Sequence, residues 1–192
     1  PFQKPPGEDP HRFSAGNFAI VPRRNHPGHS LFTAIDRHSG MIERVISGGQ
    51  TGVDRAALDV ALKLGVPCGG WCPRGRRAED GPLKEIYPLQ ETPSSDYTQR
   101  TRWNVRDSDG TVVLYKSSLS GGSALTVELA KKQTKPCLVI DLCEDSSPEI
   151  LLDWLKLQQI RTLNVAGTRE SGSPGIYEEA CQFLKEAFSY CA

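Results

Sequence analysis

The chain has 192 residues, with 23 Lys plus Arg against 23 Asp plus Glu, so it has no net charge and no long-range field to attract nucleic acid or an anionic membrane. Its longest apolar runs, such as CLVIDL at 137–142, fall far short of the roughly 20 residues a membrane-spanning helix needs. These values exclude a polybasic nucleic-acid binder and lead to the expectation of a cytoplasmic protein with one main domain, because about 150 residues suffice to bury roughly 70% of an extended chain's surface.

In chain order, residues 1–40 come first and differ from the rest. They hold six of the 14 prolines and all four histidines, His11, His26, His29 and His38, without sustained periodicity. A poorly ordered extension is expected there. The sole methionine, Met41, stands directly before IERVISGG, so the domain is expected to span 41–192. With the histidines upstream, that domain lacks an imidazole for a Ser-His or Cys-His hydrolase, unless one folds back from the extension. The six cysteines read as reduced thiols: Cys68 and Cys72 have a C-x3-C spacing, but no second Cys pair or nearby His completes a metal set, and no metal is expected.

From residue 41, the runs MIERVIS (41–47), TVVLY (111–115), CLVIDL (137–142) and TLNVAG (162–167) predict buried strands, and the weaker VPCGGW (66–71) a further one. Apolar residues at three- and four-residue spacing predict helices over 53–64, about 95–107, 123–133, 147–159 and 174–188. Alternating strands and helices imply parallel pairing with right-handed crossovers. The expected fold is α/β: a doubly wound, Rossmann-like, mostly parallel sheet of about five strands flanked by helices. Gly65 followed by Pro67 should end the first helix, and Ser173 with Pro174 should open the last.

Three turns at the carboxyl ends of strands share one composition: SGGQTGVD (47–54), SSLSGGSALT (117–126) and AGTRESGSPG (166–175). Each puts Gly and hydroxyl residues before a helix, where unpaired N–H groups and the helix dipole favour phosphate or a similar oxyanion. Gly-rich turns that merely reverse the chain are the plain alternative. Neither G-x-G-x-x-G nor G-x-x-x-x-G-K-[ST] occurs, so the turns do not spell an ordinary NAD site or a P-loop. The segment 71–109 gathers Arg74, Arg76, Arg77, Arg100, Arg102 and Arg106 with Trp71, Tyr97 and Trp103. That mixture suits a phosphorylated ring compound. It equally suits an Arg–carboxylate network, since Glu79, Asp80, Glu85, Glu91, Asp96, Asp107 and Asp109 are interleaved.

The run VISGGQTGVDRAALDVALKLGVPCGGWCPRGRRAEDGPL, with YPLQETPSSDYTQRTRWNVRDSDGTVVL, GGSALT, KPCLVIDL and LNVAGTRESGSPGIYEEA, resembles the molybdenum cofactor carrier proteins. These belong to a Rossmann-like superfamily that includes the lonely-guy phosphoribohydrolases and a DNA-processing protein. The resemblance covers residues 42–189 and implies a homo-oligomer, tetramer or dimer, that binds the molybdenum cofactor without transforming it and could pass it to molybdoenzymes. The ligand would be a small phosphorylated heterocycle, a pyranopterin bearing an oxo-metal. On this reading Gly48, Gly49, Thr51, Gly121, Gly122 and Ser123 form the anion cradle, and Asp54 and Arg55 orient it. Arg76 and Arg77 face the ligand, while Gly167, Thr168 and Arg169 close the third side. The competing expectation is enzymatic. SGGSALTVE keeps both glycines and the terminal Glu128 of the lonely-guy motif P-G-G-x-G-T-x-x-E, but departs from it at Ser120, Ala124 and Leu125. Glu128 would be the acid/base of a nucleoside-monophosphate N-glycosidase, or simply a solvated helix residue.

Overall fold

The computed structural model describes residues 18–20, 42–143 and 147–190. The strands are β1 Phe18–Ile20, β2 Arg44–Ile46, β3 Cys68–Cys72, β4 Arg77–Ala78, β5 Gly81–Pro82, β6 Leu89–Glu91, β7 Gly110–Tyr115, β8 Cys137–Asp141 and β9 Thr162–Gly167. The helices are α1 Val53–Leu64, α2 Tyr97–Arg106, α3 Gly121–Lys132, α4 Glu149–Gln158 and α5 Ile176–Ser189. All five expected helices and all five expected strands are present. Apart from Phe18–Ile20, the expected N-terminal extension lies outside the described residues, as do the four histidines.

The main sheet has seven strands in the order β1-β8-β7-β9-β2-β3-β6, every pair parallel, where about five were expected. The two additions, β1 and β6, are three-residue edge strands. Segments that short carry too few residues for a period of two to stand out. The two-residue strands β4 and β5 form a separate antiparallel hairpin, Arg77 opposite Pro82 and Ala78 opposite Gly81.

The sheet is clad on both faces. Along β7, Val112 and Leu114 enter one apolar cluster with α1, α4 and α5, while Val113 enters a second with Val105 of α2 and Val127, Leu129 and Ala130 of α3. On β8, Leu138 and Ile140 join the first, Cys137 and Val139 the second. A strand buried on both faces must be apolar at successive positions, which is why these strands read as unbroken runs. Among the described residues, no helix is long and apolar enough to cross a membrane.

Helix ends follow local chemistry, with one correction. Gly65 closes α1 in the left-handed conformation, φ 71°, and its N–H reaches Leu62 O at 3.3 Å. Asp96 caps α2, accepting from the Thr98 N–H at 3.0 Å. Ser173 does not cap α5 as expected; Gly175 holds that position, φ 88°, with no side-chain cap of its own. The capping oxygens come from Glu170, five residues upstream, which accepts from the N–H groups of Gly175 at 2.6 Å and Tyr177 at 3.0 Å.

The winding places the three Gly-rich turns side by side. From β2 the chain moves outward to β3, and from β7 it moves the opposite way to β8, while β9 lies between β7 and β2. The turns β2–α1, β7–α3 and β9–α5 therefore adjoin at the carboxyl edge, where strand order reverses and sheets of this class hold ligands.

Candidate functional site

The β2–α1 turn is closed by protein. Gly48, Gly49, Gly52 and Asp54 are all buried. A Cβ on Gly48 would lie 1.7 Å from Arg100 Nη1, and one on Gly52, φ 74°, would lie 2.4 Å from Thr168 O. These glycines let protein atoms approach and leave no room for a ligand, which is the purely structural role considered above. The Asp54 carboxylate sits inside the turn at 2% exposure, with Arg100 Nη1 donating to Oδ2 at 2.9 Å. The main-chain N–H groups of Gln50 and Gly167 also face this carboxylate. Burial pushes the Asp54 carboxyl up from its ordinary value, and Arg100 and the two amides pull it down. Arg100 comes from α2 on one face of the sheet and Asp54 from α1 on the other, so the pair ties the two layers together over the sheet edge. Among the described residues, the buried Nε of Arg100 and Nε2 of Gln50 find no hydrogen-bond partner.

The β9–α5 turn is also filled from within. The Gly167 Cβ position is 2.1 Å from Leu114 O. Thr168 N donates to Leu114 O at 3.1 Å, and Thr168 O accepts from Val53 N at 3.2 Å, so both residues stitch β9 to its neighbours. At the start of α5, the Gly175 and Tyr177 amides belong to Glu170, as described above, and Ile176 N donates to Ser173 O at 3.1 Å. Arg169 points outward, its guanidinium 5.1 Å above the Tyr97 ring and 4.0 Å from a Glu79 oxygen.

The β7–α3 turn differs from both. Ser120, Gly121 and Gly122 are exposed. Among the described residues, a Cβ on Gly121 or Gly122 would meet nothing within 4 Å, and Ser120 gives no side-chain cap. The N–H groups of Ser123 and Ala124 turn back to Ser120 O at 3.2 and 3.4 Å, while those of Gly121 and Gly122 have no acceptor among the described residues. Ser123 is buried under the turn, and the Thr126 hydroxyl donates to Gly122 O at 2.8 Å. Lys116 anchors the base of the turn to α5 through Glu179 at 2.5 Å. Here the positive end of a 12-residue helix faces open space. Glu128 lies on the exposed side of the same helix.

The arginine-rich segment divides between structural and free roles. Arg76, expected to face the ligand, is a staple instead: at φ 52° it directs its guanidinium to the carbonyls of Leu83 at 3.0 Å, Lys84 at 2.8 Å, Tyr87 at 3.0 Å and Leu89 at 3.2 Å. Those bonds use its donors inward and close the loop. Arg77 is exposed, and its side chain has no hydrogen-bond or ion-pair partner among the described residues. Arg55 donates to Gly49 O at 3.1 Å and grips Asp80 at 3.1 and 3.2 Å. The Arg–carboxylate network left open by the sequence is therefore real for Arg55–Asp80, Arg100–Asp54 and Arg106–Asp107.

Above Thr51 the hairpin contributes Glu79. Its carboxylate accepts from the Thr51 hydroxyl, from the Ser171 hydroxyl at 2.7 Å and from the Ser171 N–H at 3.3 Å. Burial works to raise its carboxyl, yet the Ser171 and Thr51 bonds outweigh burial and hold it below its ordinary value. In the sequence Glu79 is one of several carboxylates interleaved with the arginines, and nothing local singles out Ser171 or Glu170. Their signal was faint: a carboxylate three residues after Arg76, and an acid directly before a Ser-Gly-Ser turn.

Comparison with known proteins agrees with the fold. No curated protein matches the chain. A crystal structure at 1.45 Å resolution from Syntrophus aciditrophicus SB, of a protein named "Putative molybdenum carrier protein", is 49% identical, with a TM-score of 0.74 over 77% of this chain and 95% of that one. Residues 45–188, which include all three crossover turns and the hairpin, match the model of the circularly permutated YpsA SLOG family, and the chain belongs to that family.

Proposed function

We propose that the chain binds a small anionic ligand at the carboxyl edge of its sheet, and that this ligand is the molybdenum cofactor, carried without chemical change. One observation carries the reading. Among the described residues, the β7–α3 turn presents two exposed, unaccepted N–H groups, those of Gly121 and Gly122, to open space, whereas the glycines of the β2–α1 turn and Gly167 are closed over by protein atoms. The terminal phosphate of the cofactor is the group such a helix start takes, because oriented amides and the helix dipole both favour a compact anion. The Arg169–Tyr97 pair offers a cationic and an aromatic surface of the kind a pterin ring stacks against. The name of the 49% identical relative supports the choice of cargo. Cytoplasmic location, assembly into a dimer or tetramer and transfer to molybdoenzymes are the further parts of this reading.

The test is anaerobic. Purified protein is mixed with cofactor released from a molybdoenzyme, gel-filtered, and assayed for pterin and molybdenum in the protein fraction. Retention near one equivalent per chain is expected, with a clear loss in Gly122→Ala, whose methyl group would stand in the ligand's path. Equal retention by an unrelated protein would overturn the carrier role. Release of free base from a nucleoside monophosphate, abolished by Glu128→Gln, would instead support the enzymatic alternative.

A further inference from the structure

The hairpin that carries Glu79 has a fixed root and a weakly held tip. At the root, Arg76 binds four carbonyls, and Leu83 N donates to Arg76 O at 2.7 Å. At the tip, strands of two residues each leave little backbone pairing, and Gly81, φ 113°, has nothing within 4 Å of its Cβ position among the described residues. What holds the tip down is polar: Asp80 on Arg55, Glu79 N on Gln50 Oε1 at 2.8 Å, and the Glu79 carboxylate on Thr51 and Ser171. That carboxylate rests in a cradle of two hydroxyls and one main-chain N–H, with the Arg169 guanidinium 4.0 Å away. Two hydroxyls, an amide and a guanidinium form the donor set that a tetrahedral oxyanion takes, and here a protein carboxylate occupies it.

We infer that Thr51, Ser171 and Arg169 form an oxyanion subsite that Glu79 occupies as a built-in competitor, so that the hairpin Arg77–Pro82 is a latch released when a tetrahedral oxyanion displaces the carboxylate. Displacement is feasible because Glu79 is not sealed in: its side chain keeps 23% exposure, and it can return to water without becoming a buried unpaired charge. A tetrahedral dianion brings more charge and more acceptor oxygens to the same donors than one carboxylate does. Asp80 stays on Arg55 as a second hold, which limits how far the tip opens. This inference rests on reading the crossover turns as the ligand face, but it concerns a different part of that face from the α3 start.

The experiment uses the whole chain with inorganic molybdate and, separately, inorganic phosphate as probes, measured by calorimetry. Glu79→Gln keeps the size of the side chain and removes the charge; it should bind oxyanion about tenfold more tightly than the unsubstituted protein, the size expected when one charged competitor leaves. Asp80→Asn, which loosens the tip but leaves the competitor in place, should change affinity less than Glu79→Gln. In the unsubstituted protein, saturating oxyanion should increase amide hydrogen exchange at 77–82, and Thr51→Ala combined with Glu79→Gln should lose the gained affinity. Unchanged or weaker oxyanion binding in Glu79→Gln would overturn the latch, as would binding that ignores Thr51→Ala. Failure of the cofactor reading looks different: no pterin is retained, yet Glu79→Gln still gains affinity for the bare oxyanion.

Discussion

The β2–α1 and β7–α3 turns begin from nearly the same composition, SGGQTGVD and SSLSGGSALT, and end in opposite states. In the first, the glycines admit Arg100 and Thr168, and the anion at the helix start is the chain's own Asp54. In the second, among the described residues, the glycines admit nothing and the helix start is bare. The β9–α5 turn sides with the first, its anion being Glu170. Glycine before a helix thus marks a place where something must approach the backbone closely, and the rest of the fold decides whether that something is protein or ligand.

Several substitutions sharpen the contrast, beginning with the buried pair. Arg100→Ala leaves Asp54 buried and uncompensated and should lower the unfolding free energy by about 3–5 kcal/mol in urea titrations. A loss below about 1 kcal/mol would mean that the amides of Gln50 and Gly167 suffice to hold the carboxylate. Next comes a matched pair of glycine changes. Gly52→Ala forces a methyl group against Thr168 O at a positive φ and should cost about 1–3 kcal/mol. Gly122→Ala should leave stability unchanged or raise it by up to about 1 kcal/mol, because alanine is the better helix former and its methyl group meets open space. Equal destabilisation by both would erase the distinction between filled and empty turns.

Glu170→Gln tests the second internal anion. Its amide oxygen can still accept hydrogen bonds but no longer opposes the α5 dipole, so a loss of about 0.3–1 kcal/mol is expected, greatest at low salt. A salt-independent loss would place the effect in packing instead. The smallest effect concerns pH. The Glu79 carboxyl lies below its ordinary value of 4.5 in the folded chain, so the unfolded chain takes up the proton first. Its contribution is present in full above about 4.5 and is lost as pH falls through the lower folded value. The stability difference between the unsubstituted protein and Glu79→Gln should therefore shrink below that point, and solvent screening keeps it under about 1 kcal/mol. A difference that stays constant with pH would show that the charge is immaterial.

Much of the frame was legible in the sequence because it rests on local pattern. Continuous apolar runs announced strands covered on both faces, and three- and four-residue spacing announced the helices between them. Gly65 stopped α1 for a reason confined to one residue's backbone. The partners of the turns were not legible in the same way. Arg100 meets Asp54 across 46 positions, Ser171 meets Glu79 across 92, and no local rule pairs residues so far apart. Arg76 shows the limit from the other side: an arginine directly after a glycine in a turn-rich loop looks available for a ligand until the carbonyls that encircle it are known. The short edge strands β1 and β6 escaped because three residues cannot display a period.

The most direct measurement is an amide NMR titration of the whole chain with the molybdenum cofactor under anaerobic conditions. If the β7–α3 start is the open anion site, the N–H resonances of Gly121 and Gly122 shift most and saturate together, while those of Val53, Gly175 and Tyr177, already held by protein acceptors, hold their positions. Saturable shifts at Val53, Gly175 and Tyr177 with none at Gly121 and Gly122 would contradict the account.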